Sequence, residues 1–290
     1  MTAKNKIKDV FYIIMMALPV ISGILINILT KPADNGINIS GARIFFEIKM
    51  PLQPLYITES QINAWLVIIS VFFLCLYLTN GISEKPVTKR QHFAELFVSF
   101  TKNAVNDSMG KYFKGFPPFV GAIILLSAFS SLISLTGMFP PTSDLNVVAG
   151  WAILVFILIT YYKFKCGPVQ YVKSFGEPVA FLAPLNIISE FATPVSMAFR
   201  HYGNILSGSV ISVLVAAGLQ GLSAALLGWL PGFLGKFPFL QIGLPAVLSV
   251  YFDLFSGILQ AYIFAMLTML YVGGAFPYEK YMKRKKQKSI

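Results

Sequence analysis

The sequence predicts an all-α, polytopic membrane protein with about six membrane helices, and two observations support this class. First, the 290 residues are 56% hydrophobic, with a mean hydropathy of +0.70, whereas soluble domains are about 45–50% apolar. Second, the charged residues form short basic segments between apolar runs and give a net charge of +11. Basic loops flanking apolar runs indicate membrane orientation. The excess of positive charge could suggest a nucleic-acid partner, but its placement in short loops between apolar runs argues against one.

Four apolar segments in the first part of the chain have membrane-spanning length. Residues 10–29 form an N-terminal span. Its length and the missing small-residue cleavage pattern favour an uncleaved anchor helix over a signal peptide. Residues 31–60 are polar and mixed, and the run 41–50 alternates like a short strand. The remaining three spans are predicted at residues 62–79, 118–139 and 147–162.

Residues 85–114 predict an amphipathic helix that lies on the membrane surface. Apolar side chains recur there at helical spacing. They are Phe93, Leu96, Phe97, Phe100 and Val105. The alternative is an ordinary soluble helix within a loop.

Two very long apolar segments follow, residues 178–222 and 240–275. The first contains 45 residues and would be about 65 Å long as one helix, roughly twice the thickness of the hydrocarbon layer. We expect either two strongly tilted helices or segments broken at prolines such as Pro184 and Pro194. The Gly- and Pro-rich link between the segments indicates a loop.

The lysine and arginine counts predict a single membrane domain, residues 1–290, with both termini in the cytoplasm. Basic segments alternate with less basic ones along the whole chain. The basic segments are the N-terminus, residues 81–116, residues 163–176 and the tail, residues 276–290. This pattern suits a multi-pass protein of a bacterial plasma membrane better than the alternative, the mitochondrial inner membrane.

Arg200 lies deep in the first long segment, where a permanent charge is unusual. Insertion scales put the cost of a central arginine at about 3 kcal/mol, so such residues are usually functional. On a helical wheel, a polar stripe falls within about 40° of the direction of Arg200. Its other members are Ser189, Thr193, Ser196, Asn204 and Ser207. Glu190 lies about 80° to one side, and His201 points elsewhere.

The second long segment carries a polar face of its own, and its members are Asp253, Ser256, Gly257 and Gln260. Two facing polar stripes predict a hydrated seam within the lipid. One alternative is a buried Arg200–Asp253 ion pair that only joins two helices. Another is that small residues, including Ser196 and Ser207, merely allow close helix packing.

Three segments of the chain carry a recognisable pattern: PVSMAFRHYGNILSG (194–208), ILQAYIFAMLTMLYV (258–272) and MFPPTSDLN (138–146). They resemble subunit a of the F-type ATP synthase. The first is similar to the family's Pro-x-Ser-x-x-x-Arg-Leu-Phe-Gly-Asn signature, and the second to its Leu-Gln-Ala-Phe-Ile-Phe pattern. The likeness extends over a core of residues 60–275. The N-terminal span, 10–29, has no counterpart in the shorter members of the family.

The resemblance implies a stationary, non-catalytic subunit that moves H⁺ or Na⁺ through two half-channels. The ions would reach and leave carboxylates on a rotating ring of c subunits. Arg200 matches the family's essential arginine, and Asn204 and Gln260 match its neighbouring channel amides. Asp253 matches a channel position that is His or an acid in the family, and Asp144 matches the outward-facing turn aspartate. The implied partners are the c-ring, peripheral-stalk b subunits, other ATP synthase subunits and membrane lipid.

The chain departs from the family pattern beside its arginine. His201 and Tyr202 replace Leu-Phe, and Ser209 stands where some members carry a channel acid or histidine. An ion relay here would therefore use Asp253 or His201. Glu190 and Asp253 are the acids inside the two long segments, so both are candidate ion-path residues.

Two other classes of function remain open at this stage. An ion-coupled secondary transporter also places charges at mid-membrane, but the sequence shows no internal repeat. A membrane-embedded enzyme requires a cluster of catalytic side chains, and most of the acids lie in loops. The two cysteines and two histidines are too dispersed for a metal site, and no cofactor is expected.

Overall fold

The computed structural model describes residues 3–30, 41–51, 53–84, 88–177, 179–229, 243–276 and 282. Among these residues, six helices are long and apolar enough to cross a membrane. The predicted all-α polytopic class is therefore confirmed. The helices are α1 (Ala3–Thr30), α2 (Glu59–Thr79), α3 (Lys89–Met109), α4 (Pro117–Leu132), α5 (Leu145–Cys166), α6 (Pro168–Ser174), α7 (Ala183–Leu227), α8 (Leu244–Ser249) and α9 (Gly257–Gly274).

A β-hairpin follows α1, and its first strand lies in the run 41–50, where the alternation predicts a short strand. Strand β1 (Ile44–Ile48) pairs antiparallel with β2 (Leu55–Thr58), and α2 begins at the next residue. Helix α1 packs along α2, and Gly23 allows the close approach of Leu66 and Met138. Helix α1 therefore lies beside α2, and the hairpin lies between the two helices in the chain.

Helix α7 is a single helix of 45 residues, so the alternative of two broken pieces is wrong. Pro184 lies in its first turn, where no backbone N–H is required. Pro194 lies inside the helix, which membrane helices tolerate because neighbouring groups satisfy the freed carbonyl. The helix begins and ends five residues later than the predicted segment 178–222, and a 3₁₀ turn, Ala180–Leu182, precedes it.

The second long segment is not a uniform α-helix. A π-helical stretch, Val250–Ser256, connects α8 to α9. Three predicted segments lie outside the described residues. They are the start of the second long segment (240–242), the Gly- and Pro-rich link from residue 230, and almost all of the basic tail, 276–290. The tilt of the two long segments stays a prediction.

The apolar core lies where α3, α4, α5 and α9 meet. Its fully buried side chains include Val105, Val120, Phe264 and Met269. Helix α3 is one wall of this core, because Gly121 of α4 lies against its Phe97 and Thr101 side chains.

The predicted apolar face of α3 is divided. Val105 is fully buried, whereas Phe93, Leu96 and Phe100 are exposed. The surface location predicted for this helix stays a prediction.

Candidate ion-translocation site

Arg200 lies on an open face of α7. It is exposed, and among the residues that the structure describes it has no hydrogen-bond or ion-pair partner. The alternative of an Arg200–Asp253 ion pair is therefore not observed. The rest of the predicted stripe shares this face, with Thr193 half-buried and the others exposed; these are Ser189, Ser196, Asn204 and Ser207.

The opposite side of α7 packs against the rest of the chain. Its buried residues recur three and four positions apart, and in this part of the helix they are Pro194, Met197, Ala198, His201, Ile205 and Gly208. This apolar stripe fixes the rotation of α7 about its axis. Arg200 consequently points away from the protein's own core.

Asn204 connects the two polar stripes that the sequence predicts. Its Nδ2 donates to Ser256 Oγ at 2.9 Å and lies 3.5 Å from Gln260 Oε1. Gln260 is only 3% exposed, so this contact lies at the edge of the core. The prediction that polar faces of the two long segments meet is confirmed at these three residues.

Asp253 lies in the π-helical stretch, half-buried. Its carboxyl group is next to the Ser134 hydroxyl, which lies just after α4. π-Helical turns inside helices are frequent at functional sites. Asp253 thus faces the end of α4, whereas Ser256, three residues later, contacts α7.

A row of serines on α4 was missed by the sequence reasoning. Ser127, Ser130 and Ser131 are buried, and Ser134 follows one turn later at the same helical spacing. Ser131 Oγ lies 3.3 Å from Thr142 Oγ1 in the turn before α5. The signal was present in the sequence, since polar residues at i, i+3, i+4 and i+7 share one helix face.

Asp144 lies at the N-terminus of α5 and caps it. Its Oδ1 accepts a hydrogen bond from the Asn146 backbone N–H at 3.0 Å. Its Oδ2 accepts a hydrogen bond from the Ser60 hydroxyl at the start of α2. The turn aspartate therefore joins two helices at the predicted outer side of the protein.

A cavity of about 440 Å³ opens at the other, predicted cytoplasmic end, between α5, α7 and α9. Ser189 and Thr193 of the polar stripe line it. Lys163 Nζ donates to both carboxylate oxygens of Glu190 at 2.6 Å inside the cavity. We call this cavity the inner cleft; the sequence reasoning found its acid and missed its lysine.

Tyr171 is the third polar group around Glu190. Its hydroxyl donates to Glu190 Oε1 at 3.4 Å. Burial, together with the negative charge of Glu190, raises the pKa of the Tyr171 phenol. Tyr171 therefore remains a neutral donor.

His201 is fully buried behind Arg200. Its ring packs edge-on against Trp151 and Phe264, and Nε2 lies 3.4 Å from Ser127 Oγ. Ser209 is exposed and donates to the Leu206 carbonyl. The structure thus places His201 at the inner end of the serine row and keeps Ser209 away from it.

These features define a class of protein. Polar side chains line the inner cleft and the contact between α4 and the π-helical stretch, and Arg200, on the open face of α7, has no partner among the described residues. This arrangement is that of a membrane ion-translocating subunit. The comparisons with known proteins then identify the family.

Residues 61–273 match the family described as ATP synthase A chain. The ATP synthase subunit a of Geotalea daltonii is 30% identical over 233 residues, covering 77% of this chain and 92% of that protein. That of Priestia megaterium is 33% identical, covering 74% and 92%. A relative from Propionigenium modestum, described as sodium ion specific, is 27% identical, covering 78% and 77%.

The chain belongs to the ATP synthase A chain family, which confirms the resemblance seen in its motifs. It is an ion-channel stator subunit of an F-type ATP synthase, and it spans the bacterial plasma membrane several times.

Proposed function

We propose that the open face of α7 receives the ring of c subunits, with Arg200 opposite the ring carboxylate. The observation that supports this is the exposed guanidinium, which has no partner in the described part of the chain. A charge so placed in lipid is stabilised by an acidic partner from another subunit. Peripheral-stalk b subunits are further partners, and this subunit itself carries out no covalent chemistry.

We propose that the inner half-channel begins at the inner cleft. From Lys163 and Glu190 it follows Ser189, Thr193 and Ser196 along the polar stripe towards Arg200. These groups accept and donate hydrogen bonds, so they support a chain of water molecules. Glu190 is the acid at the mouth of this path.

The outer half-channel runs between α4, α7 and the π-helical stretch. It begins at Asp144 and passes Thr142, Ser131 and Ser134 to Asp253. From there Ser256, Gln260 and Asn204 lead to the ring face, and Ser207 extends that polar surface. His201 belongs to a side branch at Ser127, where the imidazole supports the serine row.

The proposed chemistry is a transfer of ions between these paths and the ring. An ion from the outer path neutralises a ring carboxylate, which then turns into lipid, and the ion leaves by the inner path after one circuit. Arg200 holds the ionised carboxylate between the two paths and blocks a direct leak. Each charge that crosses about 100 mV releases about 2.3 kcal/mol, and a continuous water path would waste that energy.

The test is the Arg200→Ala variant of the whole complex in liposomes. We expect normal assembly and loss of ATP synthesis driven by a membrane potential. Arg200→Lys should also perform poorly, because lysine lacks the planar guanidinium fork. Gln220→Ala is the control, since Gln220 is an exposed polar residue of α7 that lies outside the polar stripe. Normal synthesis by an assembled Arg200→Ala complex would refute the proposal.

A further inference from the structure

A second charged cluster lies beside the proposed outer mouth. Arg43, next to β1, donates through Nε to Glu59 Oε2 at 2.8 Å and through Nη2 to Glu59 Oε1 at 3.1 Å. It also donates to Asn27 Oδ1 at 2.6 Å and to the Thr30 carbonyl at 3.0 Å. One arginine thus joins α1, the hairpin and α2.

Both members of this pair are held in place. Glu59 is only 6% exposed, and its backbone N–H donates to the Arg43 carbonyl at 2.7 Å. The hydrogen bonds that Arg43 donates to the Glu59 carboxylate raise the pKa of Arg43, so the guanidinium stays charged. A buried carboxylate whose only cation is removed keeps an uncompensated charge.

The pair is continuous with Asp144 through one residue. Ser60 follows Glu59, is fully buried, and donates its hydroxyl hydrogen bond to Asp144 Oδ2. The first turn of α2 is therefore fixed between Arg43 on one side and the outer turn on the other. Among the described residues at this end, further charges are Glu47 and Lys49, both exposed on the hairpin.

We infer that the Arg43–Glu59 pair sets the charge at the outer mouth and thereby tunes uptake of the transported cation. Glu59 holds Ser60 against Asp144, and Arg43 cancels the charge of Glu59. Without Arg43, a second negative charge beside Asp144 would concentrate cations at the mouth; without Glu59, a free guanidinium would repel them. The inference rests on the proposed function, because it takes Asp144 as part of the outer path.

The experiment uses whole ATP synthase complexes in liposomes, with the catalytic sector outside. The variants are Arg43→Gln, Glu59→Gln and the double substitution. ATP synthesis is driven by a fixed potassium diffusion potential. The luminal pH is varied at constant Na⁺, and luminal Na⁺ is then varied at constant pH. The quantity measured is the half-saturating luminal concentration of whichever ion drives synthesis.

The two single substitutions should shift this concentration in opposite directions. We expect the half-saturating concentration to decrease about threefold in Arg43→Gln and to increase about threefold in Glu59→Gln. This is the size of effect that one added charge near the solvent has on a nearby cation. The double variant should return to the wild-type value. A purely structural role predicts instead that both single variants change in the same direction, and that result would overturn the inference.

The chain offers a matched control at the other end of α1. Arg90 Nη1 donates to Asp9 Oδ1 at 2.7 Å, an ion pair of the same kind that also ties α1 to its neighbours. Arg90→Gln loosens that helix without changing the charge at the mouth, so it should keep the wild-type half-saturation. A threefold shift in this control would also refute the inference.

A further variant, Asp253→Asn, separates this inference from the proposed function. Normal half-saturation in both pair variants, with transport lost in Asp253→Asn, would defeat the inference alone. Normal transport by Asp253→Asn would count against the outer path itself.

Discussion

Replacing Gly257 by alanine places a methyl group between α9 and α4. A Cβ at residue 257 would lie 2.7 Å from the Cβ of Ser131 and 3.4 Å from its Oγ. Carbon atoms approach to about 3.5 Å at their optimum, so the helices must separate by about 0.8 Å at this point. Ser131 is only 2% exposed and cannot move aside into solvent.

The magnitude follows from two opposing contributions. Extra methyl groups in a packed core cost about 1–3 kcal/mol, and alanine gains about 1 kcal/mol over glycine in a helix. The net loss is therefore up to about 2 kcal/mol. The displacement of α9 also changes the distances from Asn204 to Ser256 and Gln260, now 2.9 and 3.5 Å. Ion transport should decrease together with stability.

Two measurements test this prediction. Thermal unfolding of this subunit in the purified complex should have a lower midpoint in Gly257→Ala, and ATP-driven ion pumping should be slower. Gly150→Ala is the control, because Gly150 is exposed on α5 and, among the described residues, only its own helix backbone lies near an added Cβ there. Equal stability and pumping in both variants would show that α4 and α9 do not pack as described.

Three further predictions concern the two half-channels. Lys163→Gln leaves Glu190 without its cation in the inner cleft, so ATP-driven ion pumping should fall severalfold. Adding Glu190→Gln should restore part of the pumping rate, and no recovery would argue against charge compensation. Asp144→Ala should cost about 1 kcal/mol through loss of the α5 N-cap, whereas Asp144→Asn retains the cap and lowers only the transport rate. A thermal midpoint that falls equally in both would contradict this separation. Gln260→Leu should reduce ATP synthesis in vesicles less than Arg200→Ala does. An equal loss of synthesis in the two variants would contradict that ranking.

Features set by local geometry were predictable from the sequence. The polar stripe around Arg200 follows from the 3.6-residue period, and the structure confirms it from Ser189 to Ser207. The strand at 41–50 followed from its alternation. The ends of the first four spans were placed to within seven residues, because length and apolarity define them.

Most contacts between residues far apart in the sequence were not predictable. Lys163 and Glu190 are 27 residues apart on different helices, and no local pattern links them. The π-helical stretch around Asp253 has the same apolar composition as an α-helix, so nothing in the sequence marks the wider turn. The Arg43–Glu59 pair likewise depends on how the hairpin folds back on α2.

The open face of α7 has a consequence for the life of the protein before assembly. The polar stripe around Arg200 is left largely uncovered by the described part of the chain, and a bare guanidinium in hydrocarbon carries a cost of several kcal/mol. A newly inserted subunit is therefore less stable until it assembles with the other subunits of the complex. Cells that lack those neighbours should degrade it, and its abundance should follow theirs.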